Sequence, residues 1–347
     1  MARMQALQKP TAAPGAAIVE ADIPAIGQNE ALVEIKATSI CGTDVHIYKW
    51  DKWAESRIKP PLIFGHEFSG EVIEVGSNVT QVKVGDHVSG ETHIYCGSCF
   101  QCRIGNAHIC EKLKLRGIDV QGCFAQYHAA PANTLWVNDK SVPHELASAQ
   151  EPLGNAVHTV FDGEIAGQIA LVYGCGPIGI CAAGLCKQAG AALTIAVDRH
   201  EHKLKMAKQF GADIILDSSK VDVVKEVKAI TNGHGIDVLL EMSGSPAAFK
   251  QGFELLRPDG RASLLGIPSE PISFNMANDI VFRSARIHGI NGRRVWDTWY
   301  KAAAFLKSGR IDLSKLVTHK FGLSEFEKAF EAMKSGSAGK VVMFPGK

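Results

Sequence analysis

Residues 169–179 of the 347-residue chain read Ile169-Ala170-Leu171-Val172-Tyr173-Gly174-Cys175-Gly176-Pro177-Ile178-Gly179. The apolar run predicts a buried strand, and the glycines after it precede a stretch that is typical of a helix. Glycine at this turn lets the backbone approach a pyrophosphate closely, and the free N–H groups of a helix start attract the anion. The stretch therefore predicts the strand, turn and helix of a dinucleotide site, with a glycine-rich turn of some other α/β fold as the alternative.

An acidic residue ends the next apolar run. Asp198 follows residues 193–197 and lies 19 residues after Gly179. A carboxylate at this place accepts hydrogen bonds from the adenosine ribose hydroxyls and repels a 2′-phosphate, which favours NAD over NADP. Arg199 and His200 weaken this preference, because a cation beside the ribose can accommodate a phosphate.

Strands and helices continue to alternate beyond this point. Residues 236–241 and 260–266 are again apolar, and a Lys-rich helix is expected to end at Gly211. This alternation predicts parallel βαβ units and hence a doubly wound sheet. In the first 150 residues, short apolar runs such as 31–35 and 70–76 are separated by Gly, Pro and Asn, which predicts a mostly β domain. The expected fold class is therefore α/β, a doubly wound parallel sheet with a second, mostly β domain.

The composition argues against some classes of function. With 46% hydrophobic residues the chain is long enough for two domains, and its 37 basic against 36 acidic side chains offer no general attraction to nucleic acid or to a membrane surface. We therefore expect a small-molecule substrate. The first residues lack the apolar core of a signal peptide, and no apolar run is long enough to span a bilayer, so we expect a cytoplasmic protein without membrane association.

Four of the nine cysteines lie close together. Cys96, Cys99, Cys102 and Cys110 have the spacing C-x2-C-x2-C-x7-C, and four thiolates at this spacing can surround one structural zinc ion. Buried thiols, an iron–sulfur cluster and a nucleic-acid-binding zinc ribbon are the alternatives, and the last of these needs a basic surface that the composition does not show. The cysteine distribution indicates metal binding in a reducing compartment, not a disulfide framework.

A catalytic zinc needs ligands from separated parts of the chain and one position that substrate can occupy. Cys41, His66, Glu67 and Glu151 are of the right types. Each also has an ordinary structural explanation, and their spacing alone does not join them into one site.

The segment Gly65-His66-Glu67-x-x-Gly70-x5-Gly76-x-x-Val79 resembles the zinc signature of the medium-chain alcohol dehydrogenases. The cysteine loop and the glycine stretch follow it in that family's order, so the resemblance covers the whole chain. It implies a GroES-like, mostly β catalytic domain with two zinc sites at residues 1–151, a Rossmann NAD-binding domain at 152–291, and a C-terminal segment at 292–347 that returns to the catalytic domain.

Four stretches resemble the threonine dehydrogenase branch of that family, namely residues 41–53, 91–96, 151–159 and 291–301. This resemblance implies oxidation of L-threonine at its 3-hydroxyl by NAD to 2-amino-3-oxobutanoate, a homotetramer, and functional coupling to a 2-amino-3-oxobutanoate CoA ligase. Some members have Asp at Glu151, Tyr at Asn291 and Arg at Lys203, which puts the metal geometry and the finer cofactor contacts in doubt. A zinc-dependent polyol or 2,3-butanediol dehydrogenase and a non-catalytic zinc- and nucleotide-binding protein are the alternatives.

The resemblance also implies roles for individual residues. Zinc held by Cys41, His66 and a carboxylate, either Glu67 or Glu151, would act as a Lewis acid, and Thr43 and His46 would form the proton relay. His93 would recognise the threonine carboxylate or amine, with a structural role as the alternative. The implied cofactor contacts are Gly174, Gly176, Ile178, Gly179, Asp198, Lys203, Leu265, Gly266, Ile267, Ile290 and Asn291.

Overall fold

The apolar runs of the sequence form strands in the computed structural model, which describes residues 2–268 and 270–346. The strands, in chain order, are β1 (Arg3–Lys9), β2 (Ala17–Asp22), β3 (Glu30–Ser39), β4 (Leu62–Ile63), β5 (Glu67–Val75), β6 (His87–Gly90), β7 (His93–Ile94), β8 (Lys114–Leu115), β9 (Tyr127–Pro131), β10 (Leu135–Val137), β11 (Ile169–Tyr173), β12 (Leu193–Asp198), β13 (Ile214–Asp217), β14 (Ile236–Glu241), β15 (Leu256–Leu264), β16 (Arg286–Gly289), β17 (Val317–Gly322) and β18 (Lys340–Phe344).

Helices connect most of these strands. They are α1 (Gly42–Lys49), α2 (Lys52–Arg57), α3 (Phe100–Arg103), α4 (His144–Ala147), α5 (Gln150–Val160), α6 (Pro177–Gln188), α7 (Glu201–Phe210), α8 (Val223–Ile230), α9 (Pro246–Leu255), α10 (Asp297–Lys307) and α11 (Phe326–Lys334). Short helical turns lie at Ala107–Ile109, Ala132–Thr134, Met276–Val281, Leu313–Lys315 and Leu323–Glu325. Among the helices described, none combines the length and hydrophobicity that crossing a bilayer requires.

The chain forms two compact units. The first unit comprises residues up to 151 and from 313 onward, and the second unit comprises residues 152–312. Residues 292–312 pack within the second unit, because Arg293 donates a 2.9 Å hydrogen bond to the Asn155 side chain and the Phe305 ring stacks on Phe161 at 5.7 Å.

The second unit contains a parallel sheet of six strands in the order β13-β12-β11-β14-β15-β16. The apolar residues of β11 and β12 are buried except Ile169 and Leu193, which begin the two strands and are half-buried, in agreement with the buried strand predicted at 169–173. α6 begins at Pro177 after the N-cap residue Gly176, and proline suits the first helical position because its missing N–H would have no partner there. The strand order reverses between β11 and β14, and open α/β sheets bind ligands at such a point. The predicted doubly wound sheet is thus confirmed.

The first unit is mostly β, as predicted. Its main sheet has the order β10-β6-β5-β3-β18-β17, with β9 also paired to β3, and smaller sheets join β2-β1-β4 and β7-β8. Strand β18 pairs antiparallel with β3 through Val342 and Ser39 and lies between β3 and β17 in the sheet. This pairing places Lys340 inside the first unit, where it is buried.

A buried imidazole, His87, lies against the half-buried imidazole of His144 in this unit. The His87 and His144 rings are 4.1 Å apart, and the Ser69 hydroxyl lies 2.6 Å from His87 Nε2 and 2.9 Å from His144 Nδ1. Burial, and then the charge of His144, lower the pKa of His87 to about 4. Burial also lowers the pKa of His144.

This pair makes the protein sensitive to acid. His87 in an unfolded chain binds a proton near pH 6.5, whereas the folded chain binds one only near pH 4, so stability is lost as the pH falls between these values. We expect this side chain to lower the free energy of unfolding by roughly 2–3 kcal/mol by about pH 4. Denaturant titrations at pH 7 and 5 measure the loss. A His87→Gln variant should lose less, and an equal loss in both proteins would contradict this origin.

Candidate functional site

The predicted structural metal loop brings four sulfur atoms together. The Sγ atoms of Cys96, Cys99, Cys102 and Cys110 lie within 4.8 Å of one another, with three of their separations at 3.5, 3.5 and 3.8 Å. A tetrahedron with zinc–sulfur bonds of about 2.3 Å has sulfur–sulfur edges of about 3.8 Å, so the four thiols fit one zinc ion.

The electrostatics of this loop favour a cation. The N–H of Ser98 holds the pKa of Cys96 below its ordinary value. Burial, and then the neighbouring sulfurs, raise the pKa of Cys102 to about 12. The Cys102 thiol therefore ionises at neutral pH only beside a positive ion, and the nine cysteines are all free thiols in the described structure.

A second ligand group forms where α1 and β5 begin. One ligand atom each from Cys41, His66 and Glu67 lies within 4.8 Å of the other two. Gly65 makes the approach of His66 possible. Its φ is +87°, and a Cβ at this position would meet the Phe124 ring at 2.2 Å, so only glycine fits the turn.

His66 lies in a negatively charged, buried environment. Burial opposes its positive charge, but Asp44, Cys41 and Glu151 outweigh burial and raise the pKa of His66 to about 10. His66 Nδ1 and Asp44 Oδ1 are 3.6 Å apart, and neither atom has a hydrogen-bond partner among the described residues. A buried, unpaired imidazole nitrogen beside a thiol and a carboxylate fits a divalent metal ion of the zinc type.

The structure identifies Asp44 as a support for two of these ligands. Its carboxyl group is fully buried, Oδ2 accepts a 2.8 Å hydrogen bond from the Cys41 N–H, and Oδ1 faces His66. Burial raises the pKa of Asp44 to about 6. The sequence analysis missed this residue, although its position three residues after Cys41 is that of a capping acid at a helix start.

The two candidate carboxylates have different partners. Lys340 Nζ donates to Glu67 Oε1 at 2.7 Å, and the Ser39 hydroxyl donates to Oε2. The Thr92 hydroxyl donates to Glu151 Oε1 at 2.5 Å. Glu67 thus lies in the ligand group and is held there by a buried lysine that the sequence analysis did not anticipate.

The predicted relay residues lie on α1. The Thr43 hydroxyl is 3.8 Å from Cys41 Sγ, and His46 has an exposed side chain with Nδ1 hydrogen-bonded to the Asp51 carboxylate. His93 is buried and has its Nδ1 2.8 Å from Glu91 Oε1. The carboxylates of Asp51 and Glu91, which the sequence analysis did not identify, therefore orient the imidazoles of His46 and His93.

In the second unit, the glycine stretch lines a cavity of about 480 Å³. Gly174 has a φ of +97°, and a Cβ on Gly179 would meet the Gly174 carbonyl oxygen at 1.9 Å, so both positions require glycine. Of the predicted contacts, Gly174, Gly176, Asp198 and Lys203 line this cavity. The others are not among its described lining residues, namely Ile178, Gly179, Leu265, Gly266, Ile267, Ile290 and Asn291.

Asp198 is held in a fixed orientation. Its Oδ2 accepts a 2.7 Å hydrogen bond from the Cys175 N–H, and its Oδ1 is 2.8 Å from His200 Nδ1. Burial opposes its charge, but the Cys175 N–H and the His200 side chain outweigh burial and lower the pKa of Asp198. The carboxylate is therefore ionised and faces the cavity as an acceptor for hydroxyl groups.

A buried glutamate, also missed from the sequence, shapes the neighbouring strand end. Glu241 Oε1 accepts hydrogen bonds from the N–H groups of Ser243 and Gly244 at 3.0 and 3.1 Å. Burial raises its pKa. A Cβ on Gly266 would meet the Gly244 nitrogen at 2.2 Å, so the predicted Gly266 is needed for close packing beside the cavity's Ser243.

Comparison with known proteins identifies the family of the chain. The family models for an alcohol dehydrogenase GroES-like domain and a zinc-binding dehydrogenase match residues 27–140 and 177–308. An L-threonine 3-dehydrogenase from Bacillus licheniformis is 49% identical to this chain, and the match covers 99% of each of the two proteins. An L-threonine 3-dehydrogenase from Pyrococcus abyssi is 47% identical, and the match covers 98% of each.

Solved structures share the fold at lower identity. A zinc-binding dehydrogenase from Sinorhizobium meliloti bound to NADP has a TM-score of 0.91 and 28% identity, with 99% of this chain and 100% of that chain covered. An alcohol dehydrogenase from Escherichia coli complexed with NADH has a TM-score of 0.90 and 27% identity, with the same coverage. The chain belongs to the L-threonine 3-dehydrogenase family of zinc-dependent medium-chain alcohol dehydrogenases.

Proposed function

We propose that this enzyme oxidises the 3-hydroxyl of L-threonine with NAD, giving 2-amino-3-oxobutanoate and NADH. The convergence of Cys41, His66 and Glu67 carries the proposal, because it supplies a thiol, an imidazole and a carboxylate in one buried group. Zinc bound there would lower the pKa of the substrate hydroxyl, and NAD would accept the hydride. The relatives named L-threonine 3-dehydrogenase give the substrate.

The chain's own residues then have distinct tasks. Cys41, His66 and either Glu67 or Glu151 hold the metal, and Asp44 keeps the first two in place. Thr43 and His46 take the hydroxyl proton toward solvent. The remaining candidate, His93, binds the substrate carboxylate or amine, and the four-cysteine loop holds a second, structural zinc.

A comparison of substrates tests the proposal. We expect NADH formation from L-threonine with a kcat/KM well above that for D-threonine, 2,3-butanediol or sorbitol, and loss of this activity after treatment with a chelator. A higher kcat/KM for butanediol or sorbitol would assign the protein to the diol or polyol dehydrogenases. No NADH from any of the four, with only one zinc per chain, would indicate a non-catalytic protein.

We also propose NAD as the preferred cofactor, because the ionised Asp198 lies in the cavity that the glycine stretch lines. An Asp198→Ala variant is expected to lower kcat/KM for NAD by roughly 10- to 100-fold, the effect of losing hydrogen bonds to a charged group. Activity with NADP should rise relative to NAD, since Arg199 and Lys203 line the same cavity. The exposed Glu201→Gln is the control. An unchanged NAD/NADP ratio in Asp198→Ala would contradict the assignment.

The second unit has features of a subunit interface. β16 is an outer strand whose described pairing is with β15, and Met276, Phe282 and Ile267 nearby in the sequence are 61%, 78% and 91% exposed. An open strand edge with exposed apolar side chains favours self-association. We propose a homotetramer, and light scattering should give four times the 37.3 kDa chain mass. A monomer mass at micromolar concentration would contradict it.

The cellular setting follows from the chemistry. We propose a cytoplasmic location, because two thiol-containing metal groups need reduced cysteines. The product 2-amino-3-oxobutanoate is a 3-oxo acid and loses carbon dioxide readily, so we propose that a CoA ligase specific for this product acts next. Lower aminoacetone formation when such a ligase is present would support this coupling.

A further inference from the structure

His46 lies on α1, the helix that follows Cys41, and its imidazole pairs with the carboxylate of Asp51. The Asp51 carboxylate is hydrogen-bonded to His46 Nδ1, and the Trp53 ring meets the imidazole edge to face at 6.1 Å. The His46 side chain is 58% exposed, so solvent reaches it. These contacts give the imidazole one orientation although it lies at the surface.

Asp51 uses its two oxygens for two different purposes. Oδ1 accepts a 3.1 Å hydrogen bond from the Ala54 N–H and thereby caps α2, whereas Oδ2 faces His46. Burial opposes its charge, but the His46 side chain and the Ala54 N–H outweigh burial and lower the pKa of Asp51. An ionised carboxylate only accepts hydrogen bonds, so Nδ1 of His46 must carry the proton and Nε2 keeps its lone pair.

We infer that Asp51 is a positioning residue for the proton relay, holding His46 in the tautomer whose Nε2 accepts the proton and balancing the imidazolium charge that results. The inference rests on the function proposed above. The Thr43 hydroxyl receives the substrate's hydroxyl proton as it gives its own proton to Nε2, and the imidazolium then releases a proton from Nε2 to water. One proton enters and one leaves, and His46 and Asp51 return to their starting state.

The Asp51→Asn variant tests this role without removing the helix cap, because asparagine also caps helices well. Its amide N–H would donate to Nδ1 and force the proton onto Nε2, which is the wrong tautomer. We expect the single-turnover rate constant of NADH formation from L-threonine to fall roughly 10- to 100-fold. KM, zinc content and thermal midpoint should stay unchanged, and added imidazole should restore part of the rate because the site is open to solvent.

The matched control is Asp222→Asn. Asp222 caps α8 by accepting a 3.1 Å hydrogen bond from the Lys225 N–H, the same geometry as at Asp51, but it has no histidine partner in the described structure. We expect wild-type rates from it. An Asp51→Ser variant keeps a capping hydroxyl and lacks the histidine contact, so it gives the same test if Asp51→Asn does not fold.

A double variant separates this inference from the proposed function. Adding Asp51→Asn to His46→Gln should slow the reaction no further than His46→Gln alone, because asparagine keeps the helix cap and Asp51 affects the reaction only through His46. A slow His46→Gln enzyme together with a wild-type rate in Asp51→Asn would overturn the inference and leave the relay intact. A wild-type rate in His46→Gln would remove the relay and the inference together.

Discussion

Threonine-dependent NADH formation is expected to fall by a factor of about 10³ or more when Cys41 is replaced by serine. The thiol is one of the three groups that converge within 4.8 Å, and a hydroxyl is a far weaker zinc ligand. Lewis-acid activation of a hydroxyl contributes several kcal/mol to a barrier, and each 1.4 kcal/mol is about tenfold in rate. Steady-state kinetics measure the loss, and metal analysis should show one zinc fewer per chain.

The binding of NADH should survive this change, because the nucleotide cavity belongs to the second unit. Quenching or enhancement of NADH fluorescence reports that binding directly. Cys186→Ala is a suitable control, since this buried thiol lies on α6 and outside both metal groups. Full activity in Cys41→Ser with two zinc ions bound would refute the assignment of this ligand group.

Removal of one sulfur from the cysteine loop is expected to lower the stability of the protein and to leave its activity at low temperature intact. Cys110→Ala leaves three thiols where four are needed to enclose a zinc ion, so the structural metal should be lost. Structural zinc contributes several kcal/mol to folding, which corresponds to a fall of about 10 °C in the thermal midpoint for a unit of this size. Calorimetry with metal analysis checks this expectation.

Activity at low temperature should persist in Cys110→Ala, since the loop supplies no residue to the Cys41 group. The two variants therefore distinguish the roles of the two metal ions, because Cys41→Ser lowers the rate whereas Cys110→Ala lowers the thermal midpoint. A Cys110→Ala protein with an unchanged zinc content and midpoint would show that the loop does not bind a structural ion. Cys123→Ala, at a buried thiol outside the loop, controls for the cavity that the substitution leaves.

Local patterns in the sequence were sufficient for the parts of the fold that depend on neighbouring residues. The glycine stretch beginning at Gly174 and the loop from Cys96 to Cys110 each contain all the residues of their motif within a few turns of chain. Periodicity and spacing therefore predicted the parallel sheet and the metal loop. The structure adds the conformational reason, such as the 1.9 Å approach that a Cβ on Gly179 would make.

Such local patterns could not predict contacts between residues that lie far apart in the sequence. Lys340 and Glu67 are 273 residues apart in sequence, and only the pairing of β18 with β3 brings them together. Asp44 and Asp51 are near their partners, yet acids at helix starts are common and usually serve as caps alone. The contacts of Arg293 and Phe305 within the second unit likewise depend on tertiary packing, which the local sequence does not reveal.

The contact between Lys340 and Glu67 also bears on how the protein is made. The ribosome synthesises β18 after residues 152–312, which form a contiguous unit that can fold earlier on emerging from the exit tunnel. Until β18 is made, Glu67 lacks the ammonium group of Lys340, and β3 is paired with β5 and β9 but not with β18. We therefore expect nascent chains stalled before Lys340 to bind nucleotide before they can acquire a functional metal centre.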